Sequence, residues 1–266
     1  MKLSVVVCSR TGIPDRLIQS LKQQLVQPDE IISIMGHSLT SQRNEGIRKA
    51  TGDLVMFLDD DVELDPDYTA EILGTFYTHK DAMAVTGRVC VKAFKSNILH
   101  TLFAHVFILS RGGKGKFLIS GFPETYDKHI TDTIQSEVLH GCNMTIKKEV
   151  FDDIQFNEEI VGGMFGEDDW FSYQMSRKYP IYYTPFALCY DNREYSRGTQ
   201  EKRTRCNIIN LIARWKERKC NVLESCAFWW SMLGFIILKV TEGFIMRDLS
   251  ILKGVRNACL FEVFKR

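Results

Sequence analysis

The sequence predicts an α/β protein: a mostly parallel sheet flanked by helices, followed by a C-terminal helical tail that associates with membranes. Three observations carry this expectation. Short β-branched and apolar runs alternate with amphipathic segments early in the chain, as strands alternate with crossover helices. The runs have no helical period and read as strands buried in a covered sheet. From residue 197 the pattern breaks, and a basic segment leads into a long apolar one.

The elements follow in order. "KLSVVVCS" (2–9) is a buried strand, and "IPDRLIQSLKQQ" (13–24) is a helix with Pro14 at its first position. Leu17, Ile18, Leu21 and Leu25 share one face of that helix. "DEIISIM" (29–35) is a second strand, and "SQRNEGIRKATG" (41–52) is a helix ending at Gly52. "DLVMFLD" (53–59) is a third strand. "DPDYTAEILGTFYTH" (65–79) is a helix capped by Asp65 with Pro66 at its first position. "AMAVTGRVCV" (82–91) is a strand, "KSNILHTLFAHVFILS" (95–110) a helix and "RGGKGKF" (111–117) a flexible basic loop. "EVLHGCNMTIKKEVF" (137–151) turns from strand to helix. "GGMFGEDDWFSYQMSRK" (162–178) runs from a glycine-rich loop into an amphipathic helix, and "PIYYTPFALCYD" (180–191) is a strand.

Composition limits the function. A net charge of +1 over 266 residues argues against a general nucleic-acid binder. The eight cysteines are scattered, with no C-x-x-C pair, and read as reduced, mostly buried thiols of a cytoplasmic protein. The apolar run of "MKLSVVVCSR" is too short for a signal peptide and is interrupted by Arg10. His100 and His105, on one apolar helix, read as packing residues, and "RGGKGK" lacks the spacing and terminal hydroxyl of a phosphate-binding loop.

Chemistry concentrates at "TGDLVMFLDDDVELDPD" (51–67). An apolar strand runs directly into Asp59, Asp60 and Asp61, whose mutual repulsion calls for a cationic partner. Ligands of open α/β sheets bind at the carboxyl ends of strands. Carboxylates there suit Mg²⁺ or Mn²⁺, which are held by one or two carboxylates plus substrate phosphates. The alternative is an acidic turn before the next helix. A second acidic group, "GEDDW" (166–170), opens a helix, where the helix dipole alone also favours acidic residues.

"SQRNEGIRKATGDLVMFLDDDVELDPDY" (41–68) closely resembles the central signature of family 2 glycosyltransferases, inverting enzymes of the GT-A fold. Their pattern is Arg-Asn-x-Gly, a helix ending in Gly-Asp, a hydrophobic strand and Asp-x-Asp. The resemblance covers residues 1–196, with a nucleotide-sugar half at 1–92 and an acceptor half at 93–196, and leaves 197–266 as the tail. It implies that Asp59 contacts the ribose or donor sugar and that Asp61, with Asp59 nearby, binds the metal bridging the diphosphate. Arg43 and Asn44 would line the donor site with Ser9, Arg10 and Asp60. The family's Glu-Asp pair maps onto Glu167 and Asp168, with Asp168 preferred over Asp169 as the base that deprotonates the acceptor hydroxyl. "HGCNMTIKKEVF" resembles the Gly-x-Asn-Met segment, giving Gly141 and Asn143 acceptor-side roles beside Asp169 and Trp170; a simple turn and helix entry explains the segment equally.

Two departures stand out. Where many relatives carry an Asp-Asp-Gly-Ser that reads uracil, this chain has "SIMGHS", and a helix and strand that usually follow are missing, which leaves the nucleotide base open. Where the family often places a metal-binding His, this chain has Asp191, which is expected to substitute, with Arg193 and Arg197 clamping the diphosphate; a solvated loop is the alternative.

The tail carries eight basic residues against two acidic ones between Arg197 and Lys219, then "CAFWWSMLGFIILKVTEGFIM". Attachment to an anionic membrane face, a helix packed on the core or on a second copy, and a true span are the three readings, the first preferred. Together these features predict a metal-dependent inverting glycosyltransferase at the inner membrane face, acting from a nucleotide-diphosphate sugar onto a glycan or lipid-linked glycan in polysaccharide biosynthesis. A homodimer is allowed. A sugar-phosphate nucleotidyltransferase and a catalytically silent nucleotide-sugar binding partner are the rivals.

Overall fold

The computed structural model describes residues 1–90, 98–160, 166–192 and 197–264. Eight strands appear in it: β1 (Leu3–Ser9), β2 (Glu30–Met35), β3 (Leu54–Asp59), β4 (Val62–Leu64), β5 (Ala84–Cys90), β6 (Ile134–Ser136), β7 (Asn143–Lys147) and β8 (Ile181–Asp191). The α-helices are α1 (Asp15–Lys22), α2 (Leu39–Lys49), α3 (Tyr68–Thr78), α4 (Ile98–Val106), α5 (Glu167–Ser176), α6 (Arg197–Glu217), α7 (Val222–Ile245) and α8 (Leu249–Phe264). Contacts divide the chain into two compact units. One comprises Met1–Ala93, Tyr126–Glu159 and Glu167–Arg193; the other comprises Phe94–Thr125, Ile160–Gly166 and Glu194–Arg266. A division at residue 196 and this one differ over 94–125, 160–166 and 194–196, which group with the tail helices.

The first unit is a mainly parallel sheet in the order β2-β1-β3-β7-β5-β8-β4, with β6 on β8. The ladders β1–β2, β1–β3 and β5–β8 are parallel, and β7 enters antiparallel between β3 and β5. Side chains of a strand alternate between faces, and here both faces are covered. Val5 and Val7 join Leu17 and Leu21 of α1 and Ile72 of α3 on one side. Val6 and Cys8 join Ile47 of α2 and Phe171 of α5 on the other. This double burial is why β1 and β3 read as unbroken apolar runs. Gly46 lets α2 lie directly on β1, because a Cβ there would meet Val6 Cγ1 at 2.3 Å.

Several local expectations need correction. α3 begins at Tyr68 with Asp67 at its cap position, and Asp65 instead accepts the Asp67 N–H at 3.3 Å. Pro14 caps α1 from outside, its carbonyl accepting Leu17 and Ile18 N–H groups. α2 stops at Lys49, short of Gly52, which is needed for a different reason: a Cβ there would sit 2.7 Å from Ser4 Oγ. The three-residue β4 was too short for any period to reveal.

Glu30 fastens β2 to β1 and to the turn before β3. Its carboxylate accepts the Ser4 hydroxyl at 2.5 Å and the Thr51 N–H at 2.6 Å. The Ser4 hydroxyl first, then the Thr51 donors, hold its carboxyl down at about 2. A depressed carboxyl stabilises the fold above its unfolded value, and that contribution is lost as pH falls through the folded value. Glu30→Gln is therefore expected to lower stability at neutral pH, with the gap to wild type closing between about pH 4.5 and pH 2 in denaturant titrations.

The second unit packs α6, α7 and α8 around Ile208, Ile212, Phe228, Met232 and Val255, with Leu118 and Phe122 in the same cluster. Gly254 brings α8 against α6, since a Cβ there would lie 2.7 Å from the Glu201 carbonyl. α7 starts at a capping box in which Asn221 accepts the Glu224 N–H at 2.9 Å and Glu224 accepts the Asn221 N–H at 3.0 Å. The basic loop after Ser110 is tied down, contrary to expectation. The Arg111, Gly112 and Lys114 N–H groups converge on the Glu124 carboxylate, which they hold below the usual range against the penalty of burial.

Candidate active site

β3 delivers Asp59 to the carboxyl end of the parallel strands, and Asp60 and Asp61 turn the chain into β4. The three carboxylates then part. Asp59 lies 3.7 Å from Arg43. Asp60 accepts the Ser9 hydroxyl at 2.5 Å, which ties the triplet to the end of β1. Asp61 meets the end of β8: Val62 stands opposite Asp191, and the Asn192 N–H donates to the Asp61 carbonyl at 3.1 Å.

Arg43 is the hub. It is 1% exposed. Its Nη1 donates to Glu167 Oε1 at 3.0 Å, and its Nη2 donates to the Gly141 carbonyl at 2.8 Å and stands over against Asp59. The guanidinium also lies 5.1 Å from the Phe156 ring centroid. Four segments remote in sequence therefore meet on one cation. Burial works against that charge, and Glu167, then Asp59, more than offset it, raising the pKa of Arg43. Glu167 is itself buried, and burial pushes its carboxyl up to about 7, with Asp168 adding to the rise and Arg43 opposing it.

Asp168, one residue along α5, is less buried than Glu167. Its Oδ2 accepts the Gly141 N–H at 3.1 Å and its Oδ1 accepts the Asp169 N–H at 3.0 Å. Gly141 is needed at this spot, because a Cβ would come within 2.6 Å of Asp168 Oδ2. Gly141→Ala is expected to push the Asp168 carboxylate aside while circular dichroism stays unchanged.

The other expected contact residues divide into open and buried. Arg10 is exposed just beyond β1, and Asp169 is partly exposed in the first turn of α5. Arg43, Asn44, Asn143 and Trp170 are buried, at 1%, 5%, 0% and 5% exposed. Asn44 pins the segment after the 148–152 turn, donating to the Phe156 carbonyl at 2.9 Å and Glu158 Oε1 at 2.8 Å. Asn143 ties β7 to β5, its Oδ1 accepting the Thr86 hydroxyl at 2.7 Å and the Gly87 N–H at 3.1 Å. Arg43, Asn44 and Asn143 thus hold neighbouring segments of the protein together. Arg193 and the glycine-rich stretch at 162–165 lie outside the described residues, as does the side chain of Arg197.

One residue was missed. His140 precedes Gly141 in "HGCN", packs edge-on to Tyr126 with ring centroids 5.1 Å apart and lies within electrostatic reach of Asp168. Burial pushes its imidazole down to about 4 against the pull of Asp168, so it is neutral at pH 7. Its place next to the motif glycine was the available signal. Burial pushes the thiol of Cys8, near Arg43 and Asp59, up to about 12.

Among the described residues no three Asp, Glu, His or Cys side chains gather closely enough to hold an ion alone, so Asp59, Asp61 and Asp191 are not a ready-made cage. Asp59 is drawn toward Arg43 instead.

The comparisons agree with this geometry. No curated protein sequence gives a significant match. Solved structures do share the fold. Residues 1–349 of S. aureus TarS match with a TM-score of 0.53 at 12% identity, over 96% of this chain and 81% of that one. GalNAc-T7, solved with UDP, GalNAc and Mn²⁺, matches with a TM-score of 0.53 at 13% identity, over 77% of this chain and 47% of that one. S. aureus TarS matches again in a second structure with a TM-score of 0.51 at 12% identity, over 85% and 41%. The sequence pattern described as Glycosyl transferase family 2 matches residues 6–155, which takes in Arg43, the aspartate triplet and Gly141. With its motif residues meeting on one buried guanidinium, the chain belongs to glycosyl transferase family 2.

Proposed function

We infer that the protein transfers a sugar, with inversion, from a nucleotide-diphosphate donor to a hydroxyl of a glycan or lipid-linked glycan, and that it uses a divalent cation. The observation that carries this reading is the joining of the Asp59 end of β3, Gly141 and the Glu167–Asp168 pair through Arg43. The carboxylates that would serve donor and acceptor are thus held in one frame. GalNAc-T7, with UDP, GalNAc and Mn²⁺ in its structure, supports a nucleotide sugar and a metal in this fold.

Asp168 would act as the base. The acceptor oxygen attacks the anomeric carbon and gives its proton to Asp168, while the bond from that carbon to the diphosphate breaks and its electron pair leaves with the diphosphate. The Gly141 and Asp169 N–H groups hold the Asp168 carboxylate in place before the acceptor arrives. Arg43 fixes the Gly141 carbonyl and Glu167, and so the height of the base. Ser9 and Asp60 would meet the nucleotide side. A divalent ion held by Asp61 and Asp191 with phosphate oxygens would neutralise the departing diphosphate. The basic, apolar second unit supports a lipid-linked acceptor of polysaccharide biosynthesis and a peripheral place on the inner membrane face.

Donor hydrolysis and transfer measured over a panel of nucleotide sugars, with Mn²⁺ and with EDTA, test the reading. Turnover should need the metal, and Asp61→Ala should reduce it by about 100-fold or more if the ion supplies several kcal/mol. Full activity in EDTA or in Asp61→Ala would refute the metal-dependent mechanism. Release of pyrophosphate from a nucleoside triphosphate would identify a nucleotidyltransferase instead.

A further inference from the structure

We propose that the second unit lies on an anionic lipid surface through one uncharged face of α7, with that helix in the plane of the interface and not across the bilayer.

Position decides the face. Val222, Cys226, Trp229, Trp230, Leu233 and Phe244 fall within an arc of about 100° at 3.6 residues per turn. All six are exposed, Trp229 by 47%, Leu233 by 48% and Phe244 by 67%. The three charged residues of α7, Glu224, Lys239 and Glu242, lie on the far side of the helix by the same count, and the last two pair at 2.6 Å. Exposed apolar residues on one face of this 24-residue helix, from Val222 to Leu233 and again at Phe244, mark a contact surface; between them Ile237 and Val240 are half-buried. Near its start a hollow of about 610 Å³ opens beside the two tryptophans, Val222 and Cys226.

The opposite face of α7 is already committed to protein, which is why a span does not fit. Phe228 and Met232 lie in the apolar cluster of the unit, and Gly234 is covered by Phe107, whose Cβ would be 2.3 Å from an added Cβ. The Ser231 hydroxyl donates to the Ile108 carbonyl at 3.0 Å, and at the edge of the exposed arc the Trp230 indole N–H is anchored to the Val106 carbonyl at 2.8 Å. Length and composition alone would let α7 cross a membrane. A helix with protein along one side and an apolar strip along the other is shaped for an interface instead.

Charge names the occupant. Residues 197–266 hold fourteen Lys and Arg against six Asp and Glu, although the whole chain is only +1. Lys219 and Arg247 are exposed at the turns that begin and end α7, so the apolar strip is bracketed by cations. Tryptophans at the apolar–polar boundary and Lys or Arg beside them match an interface of acidic headgroups over acyl chains.

Flotation of the full-length protein with phosphatidylcholine vesicles, with and without phosphatidylglycerol, tests this without recourse to activity. The protein should float with the acidic vesicles, and 0.5 M salt should weaken binding, since screening at that strength leaves a Debye length of roughly 4–5 Å. Alkaline carbonate should release it. Trp229→Ser should lower the partition coefficient by about tenfold or more, and Leu233→Gln/Phe244→Gln, which removes no hydrogen bond of the fold, should do the same. Variants that float like wild type, no flotation at all, or retention in carbonate would each overturn the proposal. So would a dimer in sedimentation that these substitutions dissociate while vesicle binding is absent, because the strip would then belong to a second copy.

Discussion

Asp168→Asn is expected to abolish transfer, lowering kcat by about 10²–10⁴-fold, the usual worth of a positioned general base. The substitution keeps shape and volume, removes the proton-accepting charge and replaces one acceptor oxygen with an NH₂ group. Its Oδ1 can still receive one of the two backbone N–H groups that the carboxylate holds, so the first turn of α5 and the Gly141 loop lose one hydrogen bond and keep the other. Donor affinity, read by calorimetry with the nucleotide sugar and Mn²⁺, should therefore change by less than about threefold, or roughly 0.6 kcal/mol. Glu167→Gln should behave differently, because Glu167 is buried against Arg43 and its loss is felt in stability as well as rate. If Asp168→Asn retained wild-type kcat, Asp169 would be the next residue to test. If it lost donor binding instead, Asp168 would be a positioning residue and not the base.

Arg43→Met should have the largest effect on stability, a loss of about 3–5 kcal/mol in chemical denaturation, as for breaking a buried ion pair on one side. The methionine fills the space but leaves Glu167 buried without its cation and the Gly141 carbonyl without its donor. Arg43→Lys should recover only part of the loss, since one ammonium cannot reproduce the fork that reaches Glu167 and Gly141 together. Combining Arg43→Met with Glu167→Gln separates the terms: the double variant should be less destabilised than the sum of the singles, because the uncompensated charge is gone. Strict additivity would mean that the two side chains do not act as a pair.

How much of this could be read from the sequence depended on how local the cause was. β1 and β3 were legible because both faces are covered, which writes itself into the chain as unbroken apolar runs. That Asp59, Gly141 and the Glu167–Asp168 pair gather in one place was legible because motif spacing survives in a single chain. The role of Arg43 was not, since its counter-charge lies 124 positions away and burial at 1% is a property of packing alone. The protein contacts of Asn44 and Asn143 were hidden for the same reason: their amide side chains bind backbone groups on segments remote in sequence. The grouping of 94–125 with the tail helices was invisible too, because contacts such as Phe107 against Gly234 join positions more than a hundred residues apart.

The antiparallel entry of β7 between β3 and β5 has a consequence for biosynthesis. β3 has no other neighbour on that side, so the edge of the early three-strand half stays open until residues 143–147 leave the ribosome. At about 5–20 residues per second the nascent chain spends several seconds with Leu54 to Leu58 awaiting its partner. Expression of residues 1–92 alone should therefore yield an insoluble fragment and not an autonomous nucleotide-binding module, with an apolar sheet edge open to self-association.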